Sequence, residues 1–441
     1  MNSDIRVFKF GGASIKDSRN IRNVASIVEQ YQGERLLIVV SAMGKTTNAL
    51  EAIVAAHAQQ NGTALTLLEK LKQQHFQQAQ DLFGASAEEA LVSLNDTFVE
   101  IEWALEDEPH EDYDYMYDQI VSVGELASSK MLAAYLNHVG TKTHWLDARD
   151  VILTDNLYRS AAVQWEETLT RAKTHALPEI TNKQCVLTQG FIGTTSENFT
   201  TTLGREGSDY TAAIFSFCLD AKDMSIWKDV PGVLTADPRL FENVSKLERL
   251  SYREAIEMTY YGAKVIHPKT IKPLQNKSIP LYVKSFLAPN EEGTLISSEV
   301  EDKYPPMVAV EKNQAVLYIS TRDFSFVAEH HMSFLFNKIA EFRLQVNMMQ
   351  NTAISFAICV NNINDKIRRF TEDIEEEFGV IIDEGLELYT IRHYNAATTE
   401  SLLDNKMVVL EERTPNTLQM VVKELLVMRR KDVSIQKMNG N

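Results

Sequence analysis

The segment RVFKFGGAS, residues 6–14, combines an apolar strand with a lysine and a pair of glycines. Gly11 and Gly12 have no Cβ atom, so the backbone here can turn tightly and approach a ligand closely. Lys9 can place a positive charge on phosphate oxygens. This combination at the end of a strand predicts a phosphate-handling site at the carboxyl edge of a sheet. A plain β-turn with a surface lysine is the alternative that this segment leaves open.

A second segment, TLGREGSDYTAA at residues 202–213, places two glycines around Arg205 and the pair Ser208-Asp209 at the start of a helix. The free N–H groups and the positive dipole end of a helix start attract anions. Asp209 is then either a helix-terminal acid or an organiser of nearby lysines. The segment is not a Walker loop, because Gly-Lys-Ser/Thr is missing. An N-cap with flanking glycines remains the structural alternative.

A third segment, WKDVPGVLTADPR at residues 227–239, reads as a strand that runs into a Pro-Gly turn and then an Asp-Pro turn. Loops of this kind at strand ends often line nucleotide pockets, but the signal is weak by itself. The acid- and tyrosine-rich residues 106–118 show no metal-ligand spacing, and we interpret them as a solvated loop before a helix.

The elements that must position these residues alternate at first between strands and helices. A strand at residues 5–10, a helix capped by Asp17 or Ser18 and an apolar strand at residues 36–40 form a β-α-β unit, which indicates a parallel sheet. Residues 299–306 read as a charged, proline-containing linker. The order β-α-β-β-α-β between residues 315 and 393 is ferredoxin-like. A shortened second copy follows, with a helix near residues 400–403 and strands at 407–411 and 417–422.

Composition limits the classes of function. The chain has 441 residues, enough for about two or three domains, and 44% of them are apolar, which is typical of a globular protein. The formal net charge of −17 argues against nucleic acid as a partner, because a phosphate backbone requires a basic face. An anionic substrate therefore needs a local basic pocket. The three cysteines, Cys185, Cys218 and Cys359, show no disulfide or zinc spacing. With no signal-peptide pattern and no membrane-spanning run, we expect a cytoplasmic protein without membrane partners.

Six segments taken together resemble the aspartokinases of the amino acid kinase superfamily. They occur in the family order as KFGGAS, VVSAMGKTTN, VGE, LGREGSDYTAA, WKDVPGVLTADPR and YGAKVIHP, and they extend over the first 268 residues. The resemblance implies a three-layer αβα sandwich of the amino acid kinase fold, followed by ferredoxin-like α+β ACT modules. On this basis we expect an amino acid kinase catalytic domain at residues 1–297, an ACT-like regulatory domain at 298–395 and a partial second ACT-like module at 396–441.

The resemblance also implies a reaction, the transfer of the ATP γ-phosphate to the side-chain carboxylate of L-aspartate in the lysine, threonine and methionine branch of biosynthesis. Lys9, Gly11, Gly12 and Asp209 take the catalytic positions. The positions of the aspartate pocket are occupied by Thr47, Glu125, Arg205 and Ser208. The nucleotide contacts fall on Lys228, Asp229, Leu234, Arg239 and Lys264. Mg²⁺ is expected to be held mainly through ATP phosphates, since no carboxylate cage is visible in the sequence.

Other functions stay open at this point. A kinase for another small carboxylate, such as glutamate or N-acetylglutamate, belongs to the same superfamily, and a catalytically dead amino-acid sensor belongs to another class. No G-x-G-x-x-G unit follows residue 297, so we do not expect a homoserine dehydrogenase domain within these residues. ACT modules usually pair across subunits, so we expect a homodimer or a larger homo-oligomer that responds to an end-product amino acid. The sequence does not indicate which amino acid that is.

Overall fold

The computed structural model describes residues 4–183, 185–263, 266–300, 303–322, 326 and 328–425. They divide into two units. The first comprises Met1–Leu234, Ser245–Thr259 and Lys264–Asp302, and the second comprises Thr235–Val244, Tyr260–Ala263 and Lys303–Asn441. Within the described ranges, no helix has both the length and the apolar character needed to cross a bilayer.

The strands of the first unit are β1 (Ile5–Phe10), β2 (Arg35–Val40), β3 (Thr143–Leu146), β4 (Cys185–Gln189), β5 (Ile192–Thr194), β6 (Thr200–Thr202), β7 (Asp223–Lys228), β8 (Arg249–Ser251), β9 (Leu281–Ser285) and β10 (Thr294–Ser297). The helices up to residue 276 are α1 (Ser18–Glu29), α2 (Thr46–Ala58), α3 (Ala64–Phe83), α4 (Glu88–Glu106), α5 (Tyr113–Val121), α6 (Val123–His138), α7 (Trp165–Arg171), α8 (Leu177–Lys183), α9 (Gly207–Cys218), α10 (Tyr252–Tyr260) and α11 (Pro268–Asn276).

One sheet with the order β3-β4-β2-β1-β7-β9-β10-β8 forms the centre of this unit, with β5 and β6 as a separate hairpin. β1 lies between β2 and β7 and is parallel to both. Phe8 and Phe10 pack on one face of the sheet in a core with residues of α1 to α6. The alternate residue Val7 is equally buried, and α9 contacts β1, β2 and β7. A strand covered on both faces needs a continuous apolar sequence, which β2 has from Leu36 to Val40, whereas β1 is apolar except for Arg6 and Lys9.

The second unit contains β11 (Met307–Thr321), β12 (Val346–Asn351), β13 (Ser355–Asn361), β14 (Phe378–Arg392), β15 (Lys406–Arg413) and β16 (Thr417–Glu424), with helices α12 (Glu329–Glu341), α13 (Asn364–Ile374) and α14 (Ala396–Leu402). Its strands form one antiparallel sheet in the order β12-β13-β11-β14-β16-β15. Leu335 of α12 and Phe370 of α13 pack against Leu317 of β11. The α/β sheet, parallel except for the pair β9 and β10, and the ferredoxin-like antiparallel modules confirm the predicted fold class.

Two local predictions differ from the structure. The first strand of the ferredoxin-like order, predicted to start at residue 315, begins already at Met307, because β11 continues across an irregularity in its pairing with β14 between Glu311 and Val316. The segment 106–118 is not a solvated loop throughout, since its last six residues form the first two thirds of α5 and the side chain of Asp118 is fully buried. The division of the second unit at residues 395 and 396 stays a prediction.

Candidate active site

A cavity of about 560 Å³ lies at the carboxyl ends of β1 and β7 and at the start of α9. This is the edge at which ligands bind to open parallel sheets. Ten of the thirteen predicted site residues line it, namely Lys9, Gly11, Gly12, Thr47, Glu125, Arg205, Ser208, Asp209, Lys228 and Asp229. The cavity therefore brings together segments that are far apart in the sequence.

Lys9 and Asp209 form an ion pair inside this cavity. The Nζ atom of Lys9 lies 2.7 Å from Oδ1 of Asp209, and both side chains are largely buried. Lys9 is held by the β1 ladder, in which it pairs with Val39 on one side and Ile226 on the other. Burial alone would raise the pKa of Asp209, but the positive charges of Lys9 and Lys228 outweigh burial and lower the pKa. Asp209 is thus an anion between two cations.

Gly12 fits where no larger residue does. A Cβ atom at this position would lie 2.7 Å from the carbonyl oxygen of Ala42 and 3.1 Å from that of Gly44. The Gly12 carbonyl in turn accepts a hydrogen bond from the N–H of Gly44 at 3.1 Å. At Gly11 the nearest atom to such a Cβ would be Nζ of Lys9, at 3.4 Å. The glycine pair therefore lets the β1 turn pack on the neighbouring loop with the Lys9 ammonium above it.

Glu125 is the buried carboxyl group of the cavity. It lies in the first turn of α6 and is 3% exposed. Its Oε1 accepts a hydrogen bond from the N–H of Ala42 at 3.3 Å, whereas its Oε2 is buried without a hydrogen-bond partner among the residues described. Burial raises the pKa of Glu125 to about 8, although the Ala42 N–H and the charge of Lys9 both act to lower it. A buried acceptor without a donor is costly, so this oxygen suits a cationic ligand.

The other predicted pocket residues surround this group. Ser208 is buried at the start of α9, and it packs so closely on Gly190 that a Cβ there would lie 2.4 Å from the Ser208 Cβ. Thr47 lies in the first turn of α2. Arg205 is exposed on the loop before α9, so its guanidinium is accessible to an anionic ligand.

The predicted nucleotide contacts divide into two groups. Lys228 ends β7 and Asp229 follows it, and both line the cavity. Leu234 does not line it and instead forms an isolated bridge with Lys246. Arg239 belongs to the second unit, where its Nη2 lies 2.6 Å from Oδ2 of Asp237. Lys264 lies outside the described residues. The roles of these five residues stay predictions.

Several residues of the cavity wall were not predicted, among them Tyr117, Arg159 and Phe191. Arg159 and Phe191 have φ angles of 63° and 73°, in the left-handed region. Nothing in the sequence indicates this, because non-glycine residues seldom adopt it. The only available signal was that Arg159 is a cation in a short polar loop of an acidic chain.

Comparisons with known proteins agree with this geometry. The sequence profile of the amino acid kinase family matches residues 4–285. The lysine-sensitive aspartokinase 3 of Escherichia coli is 32% identical over 369 residues, which cover 81% of this chain and 79% of that protein. The chain belongs to the aspartokinases of the amino acid kinase family. The resemblance predicted from the six sequence motifs is thereby confirmed.

Two further relatives show the extent of this aspartokinase match. The chain is 34% identical over 305 residues to the chloroplastic bifunctional aspartokinase/homoserine dehydrogenase 1 of Arabidopsis thaliana, covering 67% of this chain and 33% of that protein. The chain thus spans about a third of the length of the bifunctional relatives. The crystal structure of E. coli aspartokinase III in complex with aspartate and ADP superimposes with a TM-score of 0.80 at 26% identity, over 95% of this chain and 96% of that one.

Proposed function

We propose that this chain is an aspartate kinase, which transfers the γ-phosphate of ATP to the side-chain carboxylate of L-aspartate and releases ADP and 4-phospho-L-aspartate. The observation that carries the proposal is that one cavity joins the Lys9–Asp209 pair to the buried, unpartnered Oε2 of Glu125. An amino acid needs an anionic partner for its ammonium, and phosphoryl transfer needs cations close by. The aspartate and ADP complex of the E. coli relative supports the same pair of ligands.

The chemistry explains why the cavity is rich in charge and needs no general base. The carboxylate oxygen attacks the γ-phosphorus, a C–O–P bond forms, and the bond to the β,γ-bridging oxygen breaks. No proton has to move, because the nucleophile is already ionised. The obstacle is the approach of an anion to the phosphate tail, so catalysis depends on positioning and on neutralising charge.

Lys9 is proposed to neutralise the transferring phosphoryl group, with the backbone N–H groups of Gly11 and Gly12 donating to it. Asp209 holds the Lys9 ammonium at 2.7 Å and so fixes where that charge lies. Lys228 adds a second cation at the nucleotide side of the cavity. Asp229, Leu234, Arg239 and Lys264 are proposed as further nucleotide contacts on the strength of the family motifs.

Glu125 is proposed to bind the substrate ammonium through the oxygen that has no other partner. Arg205 can bind the α-carboxylate, since a guanidinium offers two parallel N–H donors. Thr47 and Ser208 supply hydroxyl groups beside it. The ammonium and the α-carboxylate of aspartate then each meet a protein group of opposite charge.

We also propose Mg²⁺ as a cofactor that neutralises part of the phosphate charge when it is bound with ATP. Within the ranges described, no group of three or more histidine, cysteine, aspartate or glutamate side chains is arranged to hold a metal ion. Asp209 is engaged by Lys9. This donor set suits an ion that ATP oxygens and water coordinate rather than a protein cage.

An assay with two readouts tests the function. ADP release is followed with ATP and either L-aspartate, L-glutamate or N-acetylglutamate, and hydroxylamine is added in parallel to trap any acyl phosphate as its hydroxamate. We expect ADP release and hydroxamate with L-aspartate only. A preference for another carboxylate supports the second kinase hypothesis. Saturable binding of aspartate without turnover, in folded protein, indicates an amino-acid sensor.

We further propose that residues 1–297 form the catalytic domain and that the ACT-like modules at 298–395 and 396–441 mediate regulation and assembly into a homodimer or larger oligomer. Two observations support assembly through the second unit. β12 and β15 are edge strands of its sheet, and Met349 on β12 is 51% exposed. Unpaired strand edges are templates for pairing with another chain. Activity measured with lysine, threonine and methionine, together with the mass in solution, tests this; a monomer that ignores all three contradicts it.

A further inference from the structure

Three non-glycine residues of the cavity wall have left-handed backbone conformations. They are Arg159, Phe191 and Glu206, with φ angles of 63°, 73° and 54°. In this region the Cβ atom crowds the following carbonyl, so a side-chain-bearing residue stays there only when surrounding contacts fix it. For Arg159 those contacts can be named, and they lead to a residue that no motif singled out.

That residue is Asp118 of α5, whose side chain is fully buried. Its Oδ2 accepts hydrogen bonds from the backbone N–H of Arg159 at 2.9 Å and of Thr202 at 2.8 Å. Its Oδ1 accepts a third from the hydroxyl of Thr202 at 2.7 Å. Burial raises the pKa of Asp118 to about 6, while the bonds from Thr202 and Arg159 act to lower it, so the carboxylate is ionised at neutral pH.

These bonds join two segments that each carry an arginine to the cavity. Thr202 ends β6 and is followed by the loop that contains Gly204 and Arg205. The Arg159 loop lies directly against that loop, since a Cβ on Gly204 would be 3.0 Å from the carbonyl oxygen of Arg159. The N–H of Ala161 also donates to the carbonyl of Thr202 at 3.0 Å. The backbones that carry Arg159 and Arg205 are therefore joined to one another and to α5.

Helix α5 also holds the head of the Arg159 side chain. Its guanidinium carbon lies 4.4 Å from the centre of the Tyr117 ring, and its Nη1 lies 3.1 Å from Oδ1 of Asp114. The Tyr117 hydroxyl is itself anchored, because it donates to Oε1 of Glu51 at 2.8 Å. Nη2 and Nε of Arg159 donate to no acceptor in the part of the chain that the structure describes, and Arg159 and Tyr117 both line the cavity.

We propose that Asp118 is a positioning residue, which holds the Arg159 loop and the Arg205 loop together. Arg159 then offers a second guanidinium to the anionic acceptor, and in this way it contributes to acceptor specificity. This proposal rests on the proposed function, because it assigns Arg159 to the acceptor and not to the nucleotide. A dicarboxylate has two anionic groups, and one guanidinium on each loop matches that number.

Steady-state kinetics of matched variants test the proposal. Asp118→Ala removes all three bonds, and we expect KM for aspartate to rise at least tenfold while KM for ATP changes less than twofold. Asp118→Asn has the same shape, and Thr202 can reverse its hydroxyl, so we expect it to restore KM for aspartate to within about threefold of the parent value. Thr202→Val removes a single bond and should give a smaller rise of two- to fivefold.

Arg159→Asn separates the side chain from the backbone, because asparagine tolerates the left-handed region. We expect a rise in KM for aspartate similar to that of Asp118→Ala. In the double variant Asp118→Ala/Arg159→Asn, KM for aspartate should be no higher than in either single variant. A fall in kcat with unchanged KM for aspartate and for ATP overturns the proposal, because loss of folded protein gives that pattern. An equal rise of the two KM values also overturns it, because a general disturbance of the structure affects both substrates. If Asp118→Ala does not fold, unchanged KM for aspartate in Thr202→Val and Arg159→Asn overturns it equally. An inactive parent enzyme would instead contradict the proposed function.

Discussion

The ammonium of Lys9 lies 2.7 Å from the carboxylate of Asp209, although one residue lies near the end of β1 and the other in the first turn of α9. The pair lies where the parallel strands β1 and β7 end beside the N-terminus of α9. Two cations, Lys9 and Lys228, share this one acid. These three groups together carry a net positive charge that can attract an anionic ligand. Variants of Lys9 and Asp209 test how strongly the groups depend on one another.

The first prediction concerns the charge of Lys9. Lys9→Ala removes the cation proposed to stabilise the transferring phosphoryl group, and we expect kcat to fall about a thousandfold, the scale of losing one preorganised electrostatic contact. The measurement is ADP release with L-aspartate. Lys142→Ala is the control, because Lys142 is an exposed lysine that does not line the cavity. If Lys9→Ala retains most of kcat, the assigned role is wrong.

The second prediction concerns the partner of that lysine. Asp209→Asn leaves two cations close together without their acid, and breaking such a buried pair lowers the free energy of unfolding by about 3 kcal/mol. We also expect kcat to fall, since the Lys9 ammonium is no longer fixed. Denaturant unfolding measures the first effect. In the double variant Lys9→Met/Asp209→Asn the loss of stability should be smaller than the sum of the two single losses; simple additivity argues against the coupling.

The sequence predicts which residue types form this site better than it predicts how the backbone positions them. Lys9, Glu125 and Asp209 each lie in a motif with a recognisable family order, so their presence in one site was predictable. The position of Arg159 was not, because it depends on a left-handed backbone that is fixed by contacts with a distant helix. Such contacts form only in the tertiary structure and leave no local pattern.

The burial of Asp118 could not be predicted from the composition of its segment either. Its segment is rich in acids and tyrosines, and such composition usually indicates a solvated stretch. The structure buries this one carboxylate because three donors, all remote in sequence, compensate for the loss of water. Likewise, β11 extends beyond its predicted start, because polar residues around Glu311 stay in the strand through their pairing with β14. Pairing partners, and not local propensity, decided both outcomes.

The third prediction is a pH dependence of aspartate binding. The pKa of Glu125 is raised to about 8 by burial, so below pH 8 the empty site holds this group protonated. Binding an ammonium requires the ionised form, so affinity for aspartate should rise as the pH increases from 6.5 to 8 and then level off. At pH 7 the site should release about one proton per aspartate bound.

Calorimetry in two buffers of different ionisation enthalpy measures that proton. Glu125→Gln is the matched control, because the amide keeps the shape and cannot titrate; it should bind aspartate weakly, with no proton release and little change over the same pH range. Proton release that persists in Glu125→Gln would assign the titration to another group. The free energy of unfolding should change with pH in the opposite direction from the affinity for aspartate. Because the pKa of Glu125 is raised in the folded protein, its contribution to folding is present at low pH and is lost as the pH rises through 8.

The fourth prediction compares the two glycines of the first turn. Gly12→Ala places a Cβ 2.7 Å from the carbonyl oxygen of Ala42, a backbone atom that cannot move aside cheaply. We expect the free energy of unfolding to fall by about 1–3 kcal/mol, the usual cost of overpacking, together with activity. Gly11→Ala meets only the end of the flexible Lys9 side chain, at 3.4 Å. It should unfold like the parent protein and keep most of its kcat, because a methyl group at this distance leaves the ion pair of Lys9 with Asp209 in place. Equal losses of stability in the two variants would show that the close approach at Gly12 does not limit this turn.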